Sequence, residues 1–319
     1  MWRIFKPILS RIKRDLLWLS AQSIHILHIH FIFPSNPKIL EITDGRAMAQ
    51  FSPSLCIFAS FSRTEEIAEY IFFHLESLKK QNFDIIFVTT AKVISAQSMR
   101  RLKSTCIKII HRKNIGLDFG SWKAGLFYSG VELRAYERLL LANDSCYGPL
   151  FPLDAVLQSN EADVYGLTDS FEISYHIMSY FVIYHKKIFQ SAAFINLWKN
   201  VRMLPASLKD LIVLRYEVGM SKFYLQNGYL LKAYCSTKKI LEETHIPFEK
   251  LTDVNITRSH WRYLIENKHL PMIKRDIFQV LFKKDNDWTW RDVIAQTGYD
   301  IKLITTNEPF FQQKTDAAN

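Results

Sequence analysis

The sequence predicts an α/β fold, a sheet flanked by helices, and three observations carry that expectation. Short, wholly apolar runs alternate with amphipathic ones; a polar cluster closes each apolar run; and 48% of the 319 residues are hydrophobic, enough for a sizeable core. An apolar run of roughly four to eight residues bounded by turn signals is what a strand buried on both faces looks like, as in a parallel sheet. Helical segments between such strands supply the crossovers that parallel pairing needs.

Taken in order, Met1 to Leu19 places Trp2, Phe5, Leu9, Ile12, Leu16 and Leu19 at helical spacing, with Arg3, Lys6, Arg11, Lys13 and Arg14 between them. This is a basic amphipathic helix, started or kinked near Pro7, of the kind that lies on anionic membrane surfaces. Packing on the body of the same protein is the alternative. The next stretch, Leu16 to Phe33, is apolar in bulk and ends at Pro34, near the lower length limit for a membrane span. Its His25, His28 and His30 fit an alternating strand pattern better than a metal site. No small-residue cleavage site marks a signal peptide.

From Leu55 to Phe61 runs the first buried strand. A helix follows, with Ser62 or Thr64 as its cap and Ile67, Ile71, Leu75 and Leu78 on one apolar face. Phe83 to Ala91 is the second strand, a surface helix reaches Lys103, and Cys106 to Arg112 is the third. Strand–helix–strand–helix–strand is a Rossmann-type half, whose ligands are expected beyond the carboxyl ends of the strands. Those ends carry Ser60–Arg63, Thr89–Thr90, Asn114–Asp118 and Asn143–Ser145. No Gly-x-Gly-x-x-Gly follows the first strand and no phosphate-binding Gly-Lys-Ser/Thr occurs, which argues against a dinucleotide cofactor or a P-loop. Cys56, Cys106, Cys146 and Cys235 are scattered in or beside apolar runs, as buried free thiols would be, and fit a reducing cytosol.

Three clusters hold the chemistry. In the first, Asn114, Gly116 and Asp118 form a glycine-bearing loop before a helix that starts at Phe119, suited either to hold a base and ribose or simply to cap the helix. In the second, the apolar strand Leu139 to Ala142 runs into Asn143, Asp144 and Ser145. These oxygen-bearing residues suit a diphosphate with Mg²⁺ or Mn²⁺, or else a plain strand-ending turn. In the third, Glu217 opens a helix that Gly228 ends; a first-turn glutamate is commonly a dipole partner.

Together, NIGLDFGSWKAGL (114–126), LLLANDSCYGPLFPLD (139–154), HIMSYF (176–181) and YEVGMSKFYLQNG (216–228) resemble the rhamnan synthesis protein F family. More broadly, they are similar to GT-A glycosyltransferases of the family 2 type. The resemblance spans about residues 55 to 282, and Glu217 stands eleven positions before Gly228, the spacing of that group's Glu-Asp…Gly-Tyr motif. It implies a GT-A-like mixed sheet and an inverting sugar transfer with Glu217 as general base. Ser60, Arg63, Asn114, Gly116, Asp118, Asn143, Asp144 and Ser145 would bind the donor. Asp169, His176 and Tyr180 would contact acceptor or sugar, with Trp122 and Phe181 as further aromatic faces, though burial in the core is the favoured alternative for Phe181. His260 and Lys274 would face the diphosphate, and Arg275 is a further cation there. The group's Asp-x-Asp metal motif is reduced to Ala142-Asn143-Asp144-Ser145, with one carboxylate, so metal dependence through Asp144 stays open.

The implied organisation is a basic N-terminal segment (1–50), a transferase domain (51–250) and a helical C-terminal extension with a flexible tail (251–319). The implied donor is dTDP-rhamnose, and the acceptor a lipid-linked or polymeric glycan at the inner face of the plasma membrane. The net charge of +10 suits phosphate-bearing partners in general. It leaves open a nucleic-acid-binding protein, for which no zinc-finger or RNP-like motif speaks, and a non-catalytic scaffold in a glycan-assembly complex.

Overall fold

The computed structural model describes residues 29, 31–47, 52–158, 162–285 and 289–308. The expected helix over Met1–Leu19, and His25, His28 and His30, lie outside the described residues. Among the described residues no helix is long and apolar enough to cross a membrane.

The centre is a nine-stranded mixed sheet. Its strands are β1 (Ile39–Asp44), β2 (Ser54–Ser60), β3 (Phe83–Thr89), β4 (Lys108–Arg112) and β5 (Arg138–Asn143), then β7 (Val164–Ser170), β8 (His176–Ile177), β9 (Phe181–His185) and β10 (Leu231–Cys235). The order across it is β1-β4-β3-β2-β5-β9-β7-β10, with β8 paired to β7. β2 pairs in parallel with β3 and with β5, and β3 with β4, so the four strands expected from the apolar runs lie in one parallel block. Antiparallel β9 then inserts between β5 and β7, which makes the sheet mixed. A second, two-stranded sheet pairs β6 (Cys146–Tyr147) with β11 (Ile273–Lys274).

Alternation along β2 explains why its sequence is apolar throughout. Leu55, Ile57 and Ala59 enter one core, with Trp122 and Phe119 of the helix Leu117–Tyr128. Cys56 and Phe58 enter the other, with Tyr70, Ile71 and Leu75 of the helix Glu69–Lys80. Successive side chains of a strand point to opposite faces, and here both faces are covered. The second core also takes in Leu264, Ile277, Phe278, Trp290, Val293 and Ile304, so the C-terminal helices complete the cover of that face. All four cysteines are buried and free.

Two local expectations are corrected. The first helix begins at Glu69 after an extended Ala68, with no side-chain cap. Ser62 Oγ instead donates to the carbonyls of Thr64 and Glu66, closing a turn that delays the helix. Glu217 does not open a helix. It lies within a continuous helical run, Lys209–Ile212, Val213–Val218 and Gly219–Gln226, whose middle stretch is π-helical. The dipole explanation of Glu217 therefore lapses, since it applies to a first turn. Gly228 does sit past the helix end, at φ +77°, where a residue without Cβ is favoured.

Candidate active site

The carboxyl ends of β2, β3 and β5 meet at one edge of the sheet. Thr90 N–H donates to the Ser60 carbonyl at 3.1 Å, and Asp144 N–H to the Ala59 carbonyl at 3.2 Å. Ser60, Phe61, Thr90, Asn114, Asp118 and Ser121 line a cleft there of about 300 Å³. It is the position that an open α/β sheet gives its ligands.

The loop before this cleft is shaped by Gly116, at φ +75°, where a Cβ would stand 3.0 Å from Met203 Sδ. Its N–H donates to the Leu204 carbonyl at 2.7 Å. Beneath it, buried Arg112 donates to Ser121 Oγ at 2.9 Å and to the Pro37 carbonyl at 3.1 Å, pinning the loop to the following helix. Asp118 does not cap that helix; its Oδ2 accepts from Asn143 Nδ2 at 2.8 Å, joining the first cluster to the second.

Asn143 Oδ1 in turn accepts from Ser145 Oγ at 2.6 Å and Ser145 N–H at 3.1 Å. Asp144 is buried, and its Oδ2 accepts from Phe61 N–H at 2.7 Å and Ser60 Oγ at 3.1 Å. Burial, then the charge of Asp144, pushes Asp118 up to about 7, against the pull of Asn143, Lys274 and Arg112. Asp144 is itself raised by burial, which outweighs its hydrogen bonds. Mg²⁺ binds through one or two carboxylates plus water and phosphate oxygens. Asp118 and Asp144, two mutually repelling carboxylates beside a cleft, fit that demand. Among the described residues no group of three or more His, Cys, Asp or Glu is placed to hold a metal by itself.

Glu217 reaches the same edge through two consecutive residues. Its Oε1 accepts the Ser179 N–H at 2.9 Å, while the next carbonyl, of Tyr180, accepts the Asn143 N–H at 3.3 Å. The antiparallel register that opposes Ala142 to Phe181 is what brings Tyr180 beside Asn143. Glu217 lines a narrow crevice with Phe119, Ser179, Tyr216 and Ser221, and the cleft is lined by Asp118, the chain neighbour of Phe119. Lys274 Nζ stands 4.4 Å from the Tyr180 ring centroid and 3.4 Å from Ser145 Oγ.

The other expected residues are placed differently. Arg63 is exposed on the loop after β2. Asp169 is buried, and its Oδ1 accepts from Thr237 N–H at 2.6 Å, capping the helix Thr237–Glu243. His176 is buried with Nδ1 2.8 Å from the Ser174 carbonyl, and Tyr180 is buried with its hydroxyl 2.9 Å from Thr168 Oγ1. His260 joins two helices, with Nδ1 2.8 Å from Ser259 Oγ. Trp122 and Phe181 are core residues, and the Trp122 indole donates to the Ala142 carbonyl at 2.9 Å. Tyr70 and Glu308 were not singled out in the sequence, yet both belong to the support of the Asp144 turn. Tyr70 reads as one more residue of an apolar helix face, and Glu308 as a solvated carboxylate.

A mixed sheet flanked by helices, with a polar cleft at the ends of its parallel strands, defines an α/β protein. The chain belongs to the rhamnan synthesis protein F family, whose profile matches residues 85–315. It is 24% identical over 208 residues to the uncharacterized protein y4gN of Sinorhizobium fredii, a match covering 63% of this chain and 53% of that one. The chain thus spans about half of that relative's length. It is 24% identical over 249 residues to the virulence protein VirA of Vibrio anguillarum, covering 70% and 79% respectively. Among solved structures it is similar to the glycosyltransferase GlyE of Streptococcus pneumoniae, at 12% identity and a TM-score of 0.38 over 80% of this chain and 62% of that one. It is likewise similar to the galactosyltransferase LgtC in complex with donor and acceptor sugar analogues, at 12% identity and a TM-score of 0.35 over 76% and 95%.

Proposed function

We propose that the chain is an inverting glycosyltransferase, a rhamnosyltransferase, which moves a sugar from a nucleotide-diphosphate donor to a growing cell-surface polysaccharide. The observation that carries this is the Ser179–Tyr180 link, which ties the Glu217 carboxylate to the Asn143–Ser145 turn, whose side chains hydrogen-bond the cleft residues Asp118, Ser60 and Phe61. Family membership supplies the polysaccharide context, and dTDP-rhamnose is the donor that the sequence resemblance implies. Glu217 takes the proton of the acceptor hydroxyl as its oxygen bonds to the anomeric carbon and the carbon–oxygen bond to the diphosphate breaks. Lys274 lowers the cost of the charge that collects on the departing diphosphate. Asn114 and Asp118 hold the nucleoside end, and the Asp144 turn lies toward the phosphates. Asp118 and Asp144 would hold a divalent cation, which would supply Lewis-acid charge to that leaving group.

Titration with a panel of nucleotide sugars tests this, with saturable binding of one donor as the expected result. Asp144→Asn, which keeps an acceptor for the Phe61 N–H and removes the charge, is expected to change donor affinity about tenfold or more and to alter its response to chelators. Unchanged affinity and indifference to chelators would reduce the triplet to a turn. Absence of binding across the panel would favour the scaffold reading.

The basic N-terminal segment carries the localisation proposal, peripheral attachment at the inner face of the plasma membrane. Five cations at about 1 kcal/mol each near an anionic surface suffice for reversible attachment. Deleting residues 1 to 19 is expected to abolish co-sedimentation with phosphatidylserine vesicles at low salt while donor binding survives. Equal sedimentation with and without the segment would refute this.

A further inference from the structure

The turn at Asp144–Ser145 is held from behind, at its main-chain oxygens, by residues from distant parts of the chain. The Asp144 carbonyl accepts from Tyr70 Oη at 3.0 Å and from Arg275 Nη1 at 3.4 Å. The Ser145 carbonyl accepts from the Arg275 N–H at 3.0 Å. Arg275 Nη1 also donates to Tyr70 Oη at 2.8 Å, and the guanidinium lies over the rings of Tyr70 and Tyr147, 5.3 and 5.7 Å from their centroids.

The far side of this guanidinium is engaged by Glu308. Its side chain is 4% exposed, and its Oε1 stands 3.3 Å from Arg275 Nε and accepts from Tyr147 Oη at 2.6 Å. Asn307 Nδ2 donates to the same hydroxyl at 2.8 Å. Two adjacent residues of the C-terminal segment therefore clasp Tyr147 and Arg275. Arg275 follows Lys274, whose ammonium faces Ser145, so the set of the guanidinium bears on both the turn and the cation beside it.

We infer that Glu308 is a positioning residue for the donor site: through Arg275 it fixes the Asp144–Ser145 turn and so sets donor affinity. This rests on the glycosyltransferase reading for the identity of the ligand, though not for the mechanical link. A carboxylate this buried is retained only with partners for its charge, and Arg275 is the cationic one. Without that charge the guanidinium no longer has one preferred orientation, and its hold on the Asp144 carbonyl, directly and through Tyr70 Oη, is loosened. Supporting residues of this kind typically change the affinity of the site they orient 10- to 100-fold.

The test is Glu308→Gln in the full chain, with two readouts. Amide hydrogen exchange is followed over residues 140–150, and dTDP binding is followed by calorimetric titration. Faster exchange at 143–147, with the sheet strands unchanged and dTDP affinity at least tenfold weaker, is expected. In turnover, the donor KM rises with acceptor KM and kcat little changed. Arg275→Lys, which keeps the charge but cannot reach Glu308, Tyr70 and the Asp144 carbonyl together, is expected to reproduce the faster exchange and the weaker dTDP binding, and decides the matter if Glu308→Gln does not fold. Unchanged exchange at the turn in the folded variant overturns the positioning role. Faster exchange with unchanged dTDP affinity overturns the effect on the donor. A wild-type chain that binds no dTDP overturns the donor assignment itself, while the exchange readout still decides the link from Glu308 to the turn.

Discussion

Glu217→Gln is expected to lower sugar transfer by roughly 10²–10⁴-fold, the usual contribution of a general base, while leaving donor binding and thermal stability near those of the parent. Glutamine keeps an oxygen for the Ser179 N–H, which Glu217 Oε1 accepts at 2.9 Å, so the local geometry has a substitute and only proton acceptance is lost. The π-helical stretch Val213–Val218 sets the glutamate in mid-helix, and such widened turns recur at functional sites. Single-turnover kinetics with dTDP-rhamnose and a polymeric acceptor would measure the effect. More than about a tenth of the activity remaining would assign the base to another group. Full complementation in cells by the variant would select the non-catalytic scaffold.

A comparably large effect, on stability, is expected at His74. This histidine is 2% exposed on the helix Glu69–Lys80, between Phe58 in an edge-on contact at 5.1 Å and Phe181 in a stacked one at 6.4 Å. Its Nε2 is buried without a hydrogen-bond partner. Burial holds it down at about 3 from its usual 6.5. The unfolded chain therefore takes up a proton below pH 6.5 that the folded chain refuses. Stability is fully present above that pH and is lost as the pH falls toward 3, by about 1.4 kcal/mol per unit. His74→Leu removes this dependence and fills much of the same apolar space. Relative to the parent, the variant is expected to gain about 3 kcal/mol between pH 6.5 and 4.5. The raised carboxylates Asp118, Asp144 and Asp169 act in the opposite sense, and they cancel in a comparison of the two proteins. Urea unfolding at several pH values measures the difference; parallel curves would show that His74 is protonated in the folded protein or accessible to water.

Much of the architecture was legible because strands buried on both faces must be apolar at every position. β2, β3 and β5 announced themselves in this way, and the polar residues that end them marked the edge where the cleft lies. The Asn114–Asp118 loop and the Asn143–Ser145 turn could likewise be found as interruptions of apolar runs. Antiparallel β9 between β5 and β7 was not legible, because buried strands of either direction carry the same composition.

The sequence by itself determined the strands of the parallel block, where they end, and that an acid–amide–hydroxyl triplet closes the fifth strand. Those properties are local, set by side-chain polarity at periods of two and 3.6 residues. Only the tertiary structure decided what each polar group touches. Asp169, which looked available for a sugar, is committed to the N–H of Thr237. Asp118 and Asn143, 25 residues apart, share a hydrogen bond. Glu308 lies 33 residues beyond Arg275 and completes the support of the Asp144 turn. Such pairings depend on how helices and strands are laid across the sheet, and side-chain chemistry at one position carries no record of its partner's place in the chain.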